Sequence, residues 1–303
     1  MMKLLPYLMI AAGASLWGII GFFVKALESA GFSSMEIVAI RALFASFFLI
    51  LIGFVRYREQ IKLKTAMDIR YFVGTGIFSI VFFNYCYFTT MSEINISMAV
   101  IFLYTAPAFV TILSYFFLKE SMNLKKIMAV ILTISGCVLI AGLALGDSNL
   151  TFTGILTGLG SGLGYALYTI FSKFALAKYT PFAITFYTFL VAAVCLIPVT
   201  KLWEKADLLL QPDVMLFGVS LGLIPTVLAY ILYTWGLEKT EGSKAAVIAT
   251  VEPIVATMMG VFLYNESLAF IQIVGATLII SSVIIVNLPG KKNRKTTVKT
   301  VNK

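Results

Sequence analysis

The chain has 303 residues, of which 60% are apolar and only 12% are charged. Soluble domains are about half apolar and about a quarter charged, so this composition excludes an ordinary soluble enzyme and a disordered chain. The formal net charge of +9 would suggest nucleic-acid binding in a soluble protein, but in a membrane protein it typically reflects basic residues gathered on the cytoplasmic side. The absence of histidine from the sequence excludes Ser-His-Asp and Cys-His catalysis and His-ligated metals.

Long apolar segments predict ten transmembrane helices, because a bilayer core of about 30 Å needs roughly 20 residues per helix. We expect these spans at residues 5–27, 33–55, 69–90, 95–118, 125–145, 151–173, 181–200, 213–236, 245–264 and 268–288. The first apolar stretch is longer than that of a signal peptide, so we interpret it as an uncleaved first helix. The sequence therefore predicts an all-α integral membrane protein.

Basic residues are distributed unevenly among the predicted connections. Of the 23 Lys and Arg residues, only Lys25, Lys201 and Lys205 lie on the second side of the membrane, and Arg41 lies inside a span. The positive-inside rule then places both termini in the cytoplasm, and we expect a multi-pass protein of the cell membrane. Topology explains the basic tail, so we expect the lipid bilayer as a partner and no nucleic acid.

The two halves of the chain resemble each other at a nearly constant separation. The aligned positions include Pro107 with Pro253, Glu120 with Glu266, Ser121 with Ser267, and Trp17 to Lys25 with Tyr165 to Lys173. We therefore expect two five-helix repeats, 1–148 and 149–288, followed by a basic cytoplasmic tail at 289–303. Because five is odd, the second repeat crosses the membrane in the opposite sense, which is the inverted-repeat architecture of many secondary transporters.

Several motifs in both repeats are typical of one superfamily. They are Trp17-Gly18, Arg41, Leu103-Tyr104-Thr105-Ala106-Pro107, Lys119-Glu120, Val251-Glu252-Pro253, Asn265-Glu266 and Gly275-Ala276-Thr277-Leu278-Ile279. With these residues the chain resembles the drug/metabolite transporter superfamily, specifically the EamA group of ten-helix bacterial permeases. The resemblance implies a transporter that moves small organic metabolites, often out of the cell.

Small multidrug members of the superfamily carry a membrane Glu in helix one. This chain has no acidic residue there before Glu28, which argues against their drug/proton antiport mechanism.

Two charged residues, Arg41 and Glu252, lie deep within predicted spans. Each costs roughly 2.5–3.5 kcal/mol on insertion scales, so each needs a partner or a function. They could form a structural ion pair, or bind a substrate carboxylate and a substrate amine. Alternatively, Glu252 could couple transport to protons, or only satisfy backbone groups freed by Pro253.

Polar and aromatic residues near the predicted midplane are candidates for a substrate cavity. Together with Arg41 and Glu252, the candidate substrate-binding residues are Trp17, Asn84, Tyr85, Tyr104, Tyr165, Tyr168 and Tyr230. Hydrogen bonding between helices is the alternative explanation for each tyrosine. Pro107, Pro225 and Pro253 each remove a backbone N–H within a span, so they serve either helix packing or hinges around a central site.

The resulting hypothesis is a secondary-active transporter that moves a small organic metabolite by alternating access. An amino acid or related compound, exported, is the best guess, driven by its own gradient or by protons as the coupling ion. The alternative is a proton-exchanging transporter of amines, quaternary cations or drugs, which Glu252 favours and Arg41 opposes. We expect no enzymatic activity, cofactor or metal; a receptor or channel would leave the inverted repeat unexplained, and the oligomeric state stays open.

Overall fold

The computed structural model describes residues 4–141, 151–264 and 269–288, and within these ranges the regular structure is helical throughout. The helices are α1 (Leu5–Gly18), α2 (Ile20–Ser29), α3 (Ser34–Arg56), α4 (Ile69–Val73), α5 (Phe82–Glu93), α6 (Ile96–Leu103), α7 (Ala106–Phe117), α8 (Leu124–Ile140), α9 (Phe152–Ala175), α10 (Pro181–Thr200), α11 (Ala206–Leu209), α12 (Pro212–Gly222), α13 (Ala229–Glu238), α14 (Gly242–Ala249), α15 (Glu252–Tyr264) and α16 (Phe270–Asn287). The predicted all-α membrane fold is confirmed.

Within the described ranges, nine helical stretches are long and apolar enough to cross a bilayer. They are Leu5–Ser29, Ser34–Arg56, Ala66–Glu93, Met98–Phe117, Phe152–Ala175, Pro181–Thr200, Pro212–Glu238, Gly242–Leu263 and Phe270–Asn287. The remaining predicted span, the fifth at 125–145, coincides with α8, a helix of 17 residues. Residues 142–145 lie outside the described ranges, as do Glu266, Ser267 and the predicted tail at 289–303.

Several spans are interrupted, and the interruptions recur in both halves. The third span contains a π-helical segment at Gly74–Val81, and the corresponding span of the second half contains one at Leu223–Leu228. Pro225 lies in the second of these and lacks the N–H that would bond the Leu221 carbonyl. The Thr226 hydroxyl donates to that carbonyl instead, at 2.7 Å, which is how a membrane helix tolerates proline.

The predicted spans 95–118 and 245–264 are each broken just before a proline. α6 and α7 are separated at Tyr104 and Thr105, and Pro107 follows within the first turn of α7. α14 and α15 are separated at Thr250 and Val251, with Pro253 in the same position. The prolines thus begin the second half of each broken helix, where their missing N–H has no helical partner to lose.

The last helices of the two repeats, α8 and α16, pack together through glycine. A Cβ atom on Gly136 would lie 2.7 Å from the Gly275 carbonyl oxygen, and one on Gly275 would lie 2.6 Å from the Gly136 carbonyl oxygen. A buried hydrogen bond of 2.8 Å between Thr133 and Ser282 joins the same pair. Small residues that bring backbones close drive helix association in lipid, where the hydrophobic effect between helices is absent.

Replacement of Gly136 with leucine is expected to lower the melting temperature in detergent, because the larger side chain must push α16 away. Overpacking typically costs about 1–3 kcal/mol. Gly21 is a matched control, because a Cβ atom there meets no atom within 4 Å. Equal melting temperatures for Gly136→Leu and Gly21→Leu would contradict the close contact.

Candidate substrate cavity

A cavity of about 650 Å³ penetrates the bundle between the two repeats. Its mouth is formed where α2 turns into α3, and is lined by Lys25, Glu28 and Ser34. At its inner end lie Trp17, Tyr165 and Tyr230. The volume falls within the range of about 300–1,000 Å³ that small-molecule sites occupy.

Arg41 is held in the wall of this cavity by α3. A capping box at Ser33 and Glu36 fixes the start of that helix, with Ser33 N donating to the Glu36 carboxylate at 2.7 Å. Only 6% of the Arg41 surface is exposed. Its Nε and Nη2 groups are buried and make no hydrogen bond within the described chain, and Arg41 shares the cavity lining with Tyr230 and Glu252. A buried guanidinium with free N–H groups is a strong anion-binding element.

Glu252 enters the cavity at the break between α14 and α15. It is the first residue of α15, where the partial positive charge of a helix N-terminus stabilises a carboxylate. Its Oε2 atom accepts a hydrogen bond of 3.1 Å from the Tyr165 hydroxyl. Among the ion pairs of the described residues, none joins Glu252 to Arg41, so the two opposite charges line the cavity without a direct ion pair.

Aromatic rings close the inner end of the cavity. The ring centroid of Trp17 lies 5.0 Å from that of Tyr230 and 6.0 Å from that of Tyr165, both in edge-on arrangements. The indole Nε1 of Trp17 is buried without a hydrogen-bond partner in the described chain. Rings and an unpartnered donor in this position can stack on a ligand and orient it.

The structure gathers seven of the predicted binding residues around one cavity: Trp17, Arg41, Asn84, Tyr104, Tyr165, Tyr230 and Glu252. Asn84 also donates to the Ile80 carbonyl at 2.7 Å. Tyr85 instead lies on the outer surface with 58% exposure, because consecutive helical residues point about 100° apart and Asn84 faces inward. Tyr168 lies behind the aromatic end of the cavity, and its hydroxyl is hydrogen-bonded to that of Thr234 at 2.7 Å.

Of the predicted hinge prolines, Pro253 lines the cavity, whereas Pro107 and Pro225 are buried elsewhere.

Other cavity residues escaped the sequence reasoning because apolar lining residues look like core residues. Helical spacing could have found some of them. Tyr87 lies three residues after Asn84, and Ala256 and Gly260 lie four and eight residues after Glu252; all three line the cavity. Positions i, i+3 and i+4 share one helix face, so each extends the face marked by a polar residue.

Comparisons with known proteins agree with a transporter. The EamA-like transporter family profile matches residues 4–142 and 152–288. Two proteins of Archaeoglobus fulgidus named as transporters are similar: one is 30% identical over 66% of this chain and 70% of its own length, and the other 28% identical over 92% and 98%. The threonine/homoserine exporter RhtA of Salmonella typhimurium is 24% identical over 66% of this chain and 65% of its own length.

A solved crystal structure shares the fold. Its TM-score is 0.78 over 93% of this chain and 96% of that chain, at 16% sequence identity. Together with the family match over both halves, the helical bundle and the central cavity identify a multi-pass membrane transporter of small molecules rather than an enzyme. The chain belongs to the EamA-like transporter family.

Proposed function

We propose that this transporter exports an amino acid or a closely related zwitterion by alternating access. The observation that carries the proposal is the pair of opposite charges in one cavity: Arg41 has two N–H groups without a partner in the described chain, and Glu252 accepts a hydrogen bond from the Tyr165 hydroxyl. An α-carboxylate fits the guanidinium, and an ammonium group fits the carboxylate beside the Trp17 and Tyr165 rings. The name of the relative RhtA, a threonine/homoserine exporter, is consistent with this class.

A bound zwitterion would favour closure of the cavity, because it neutralises the charges of Arg41 and Glu252. When the cavity closes, the two charges lose their water, and an unpaired buried charge is costly. A bound zwitterion supplies a counter-charge to each, so closure is easier for the loaded protein than for the empty one. Differential stabilisation of the closed state is the requirement for coupling ligand binding to a conformational change.

We further propose that the cavity mouth faces outside the cell and that both termini are cytoplasmic. The mouth carries Lys25, whereas the basic loop between α3 and α4 lies at the opposite end of α3. The positive-inside rule assigns the strongly basic end to the cytoplasm. The structure then corresponds to the outward-open state from which an exporter releases its substrate.

A second candidate is a transporter of amines or quaternary cations driven by proton exchange. The specific observation in its favour is that Glu252 shares the inner cavity with Trp17, Tyr165 and Tyr230, since aromatic rings around a carboxylate suit a cation. Protons are the corresponding candidate coupling ion. The positive charge of Arg41 would repel such a ligand, which makes this candidate the weaker of the two.

A melting-temperature screen of the purified protein separates the candidates. We expect threonine, homoserine or another neutral amino acid to raise the melting temperature, because the ligand binds only the folded state; a ligand at 100 times its Kd contributes about 2.7 kcal/mol. The matched probes are the decarboxylated amine and the deaminated hydroxy acid of each hit. Stabilisation by amines alone would contradict the amino-acid proposal and support the second candidate. Saturable counterflow of the hit in proteoliposomes would then establish transport.

A further inference from the structure

The end of the bundle opposite the cavity mouth is shut by a polar cluster. Glu120, which follows α7, accepts hydrogen bonds from Gly242 N at 2.6 Å, Ser243 N at 3.3 Å and Ser243 Oγ at 2.5 Å, all at the start of α14. Lys126 bridges Glu120 at 3.3 Å and Glu241 at 3.2 Å. The Glu120 and Lys126 side chains are only 9% and 3% exposed, so this cluster, the Glu120 latch, is a sealed junction between repeats.

A seam of hydroxyl groups connects the aromatic end of the cavity to this latch. Between α9 and α13, Thr169 bonds Tyr233 at 2.7 Å and Tyr168 bonds Thr234 at 2.7 Å. One turn further along α9, Lys173 donates to the carbonyl oxygens of Leu237 and Thr240 at 3.2 and 2.9 Å. Polar groups are expensive inside a membrane bundle and typically mark a substrate path.

The internal repeat gives this seam a counterpart in the open half. The aligned segments Trp17 to Lys25 and Tyr165 to Lys173 pair Gly21 with Thr169, Val24 with Ser172 and Lys25 with Lys173. Gly21, Val24 and Lys25 line the open cavity, whereas Ser172 is completely buried in the closed half. The same helix face is therefore exposed in one repeat and sealed in the other.

We propose that the α9–α13 seam is the second half of the substrate route, lined by Thr169, Ser172, Lys173 and Tyr233, and held shut by the Glu120 latch. This inference rests on the proposed alternating-access function. In the opposite state the latch bonds break, the seam opens toward the basic end, and the Val24 side of the present cavity closes. An inverted repeat lets the two halves exchange such arrangements at nearly equal energy.

Reciprocal cysteine labelling tests this route. Ser172→Cys and Val24→Cys are made separately in a chain whose Cys86, Cys137 and Cys195 are replaced by alanine, and each is placed in nanodiscs with a charged maleimide. With the latch intact we expect fast labelling at position 24 and slow labelling at 172. Adding Glu120→Gln, which removes the Glu120 charge, should speed labelling at 172 by about tenfold or more without speeding it at 24, because a population shift multiplies the minor state while the major state falls.

Two further variants define the outcomes. Lys126→Gln removes the lysine that bridges Glu120 and Glu241 and should act in the same direction, while Glu59→Gln, in the exposed pair with Lys62, should change neither rate. An unchanged rate at 172, or a rate at 24 that rises, overturns the proposal, since a merely loosened bundle would label faster at both positions. A ligand-induced melting shift that persists with unchanged rates refutes the route alone; reciprocal labelling without any ligand response refutes the amino-acid site alone.

Discussion

Replacement of Arg41 with glutamine is expected to remove most of the stabilisation by amino acids while leaving the empty protein at least as stable as before. Removal of one member of a buried hydrogen-bonded charge pair costs about 2–5 kcal/mol of affinity, so we expect Kd to rise by about 30-fold or more. The empty protein should melt no lower, because two of the Arg41 nitrogen atoms have no partner in the described chain and glutamine buries no charge. The measurement is the melting temperature with and without ligand.

The combination of these two results distinguishes binding from structure. An Arg41 that served only to hold the bundle together would lower the melting temperature of the empty protein when replaced. Arg58→Gln is the matched control, because it removes the same charge from the basic loop between α3 and α4. Undiminished affinity for the amino acid in Arg41→Gln would refute the assignment of its carboxylate to Arg41.

Replacement of Glu252 with glutamine is expected to remove discrimination between an amino acid and its deaminated hydroxy acid. The carboxylate contact at Arg41 remains, but the ammonium group loses its counter-charge, which we expect to weaken amino-acid binding by about 10- to 100-fold. The hydroxy acid carries no ammonium, so its affinity should change little. Binding titrations of both ligands and proteoliposome counterflow measure the effect; counterflow of the amino acid should fall.

The second candidate predicts a different pattern for the same variant. If cations are the substrates, Glu252→Gln should eliminate amine binding. Ligands that carry a carboxylate should then change the melting temperature of neither the variant nor the parent protein. Glu59→Gln serves as the control, because the Glu59 carboxylate is exposed and belongs to a surface ion pair with Lys62. Full transport by Glu252→Gln, with an unchanged ratio of the two affinities, would exclude a substrate role for Glu252 in either candidate.

The fold was predictable because the membrane imposes simple rules on sequence. Apolar length located the spans, and Pro107, Pro225 and Pro253 marked interruptions that the structure places at two broken helices and a π-helical segment. The matching π-helical segment at Gly74–Val81 contains no proline, so local composition carried no signal for it. The available indication of an interruption there was Pro225, in the corresponding span of the other repeat.

The site was predictable only where chemistry set a residue apart. Arg41 and Glu252 were conspicuous as charges within apolar spans, and both line the cavity. Aromatic residues were ambiguous, because Tyr165 and Tyr230 face the cavity while Tyr85 faces outward. Helix rotation decides between these outcomes, and a uniformly apolar span gives little information about rotation, since lipid-facing and core-facing residues are alike.

The contact between α8 and α16 has a bearing on how such a chain could arise. Gly136 approaches the carbonyl of Gly275 and Gly275 approaches the carbonyl of Gly136, at nearly the same distance. At the separation that relates Pro107 to Pro253, Gly136 aligns with Ser282 and Gly275 with Ala129, so the two glycines are not equivalent residues, but α8 and α16 are the equivalent last helices of the two repeats. The single chain thus pairs the last helix of one half with the last helix of the other, as expected if two copies of a five-helix protein, inserted in opposite orientations, became fused.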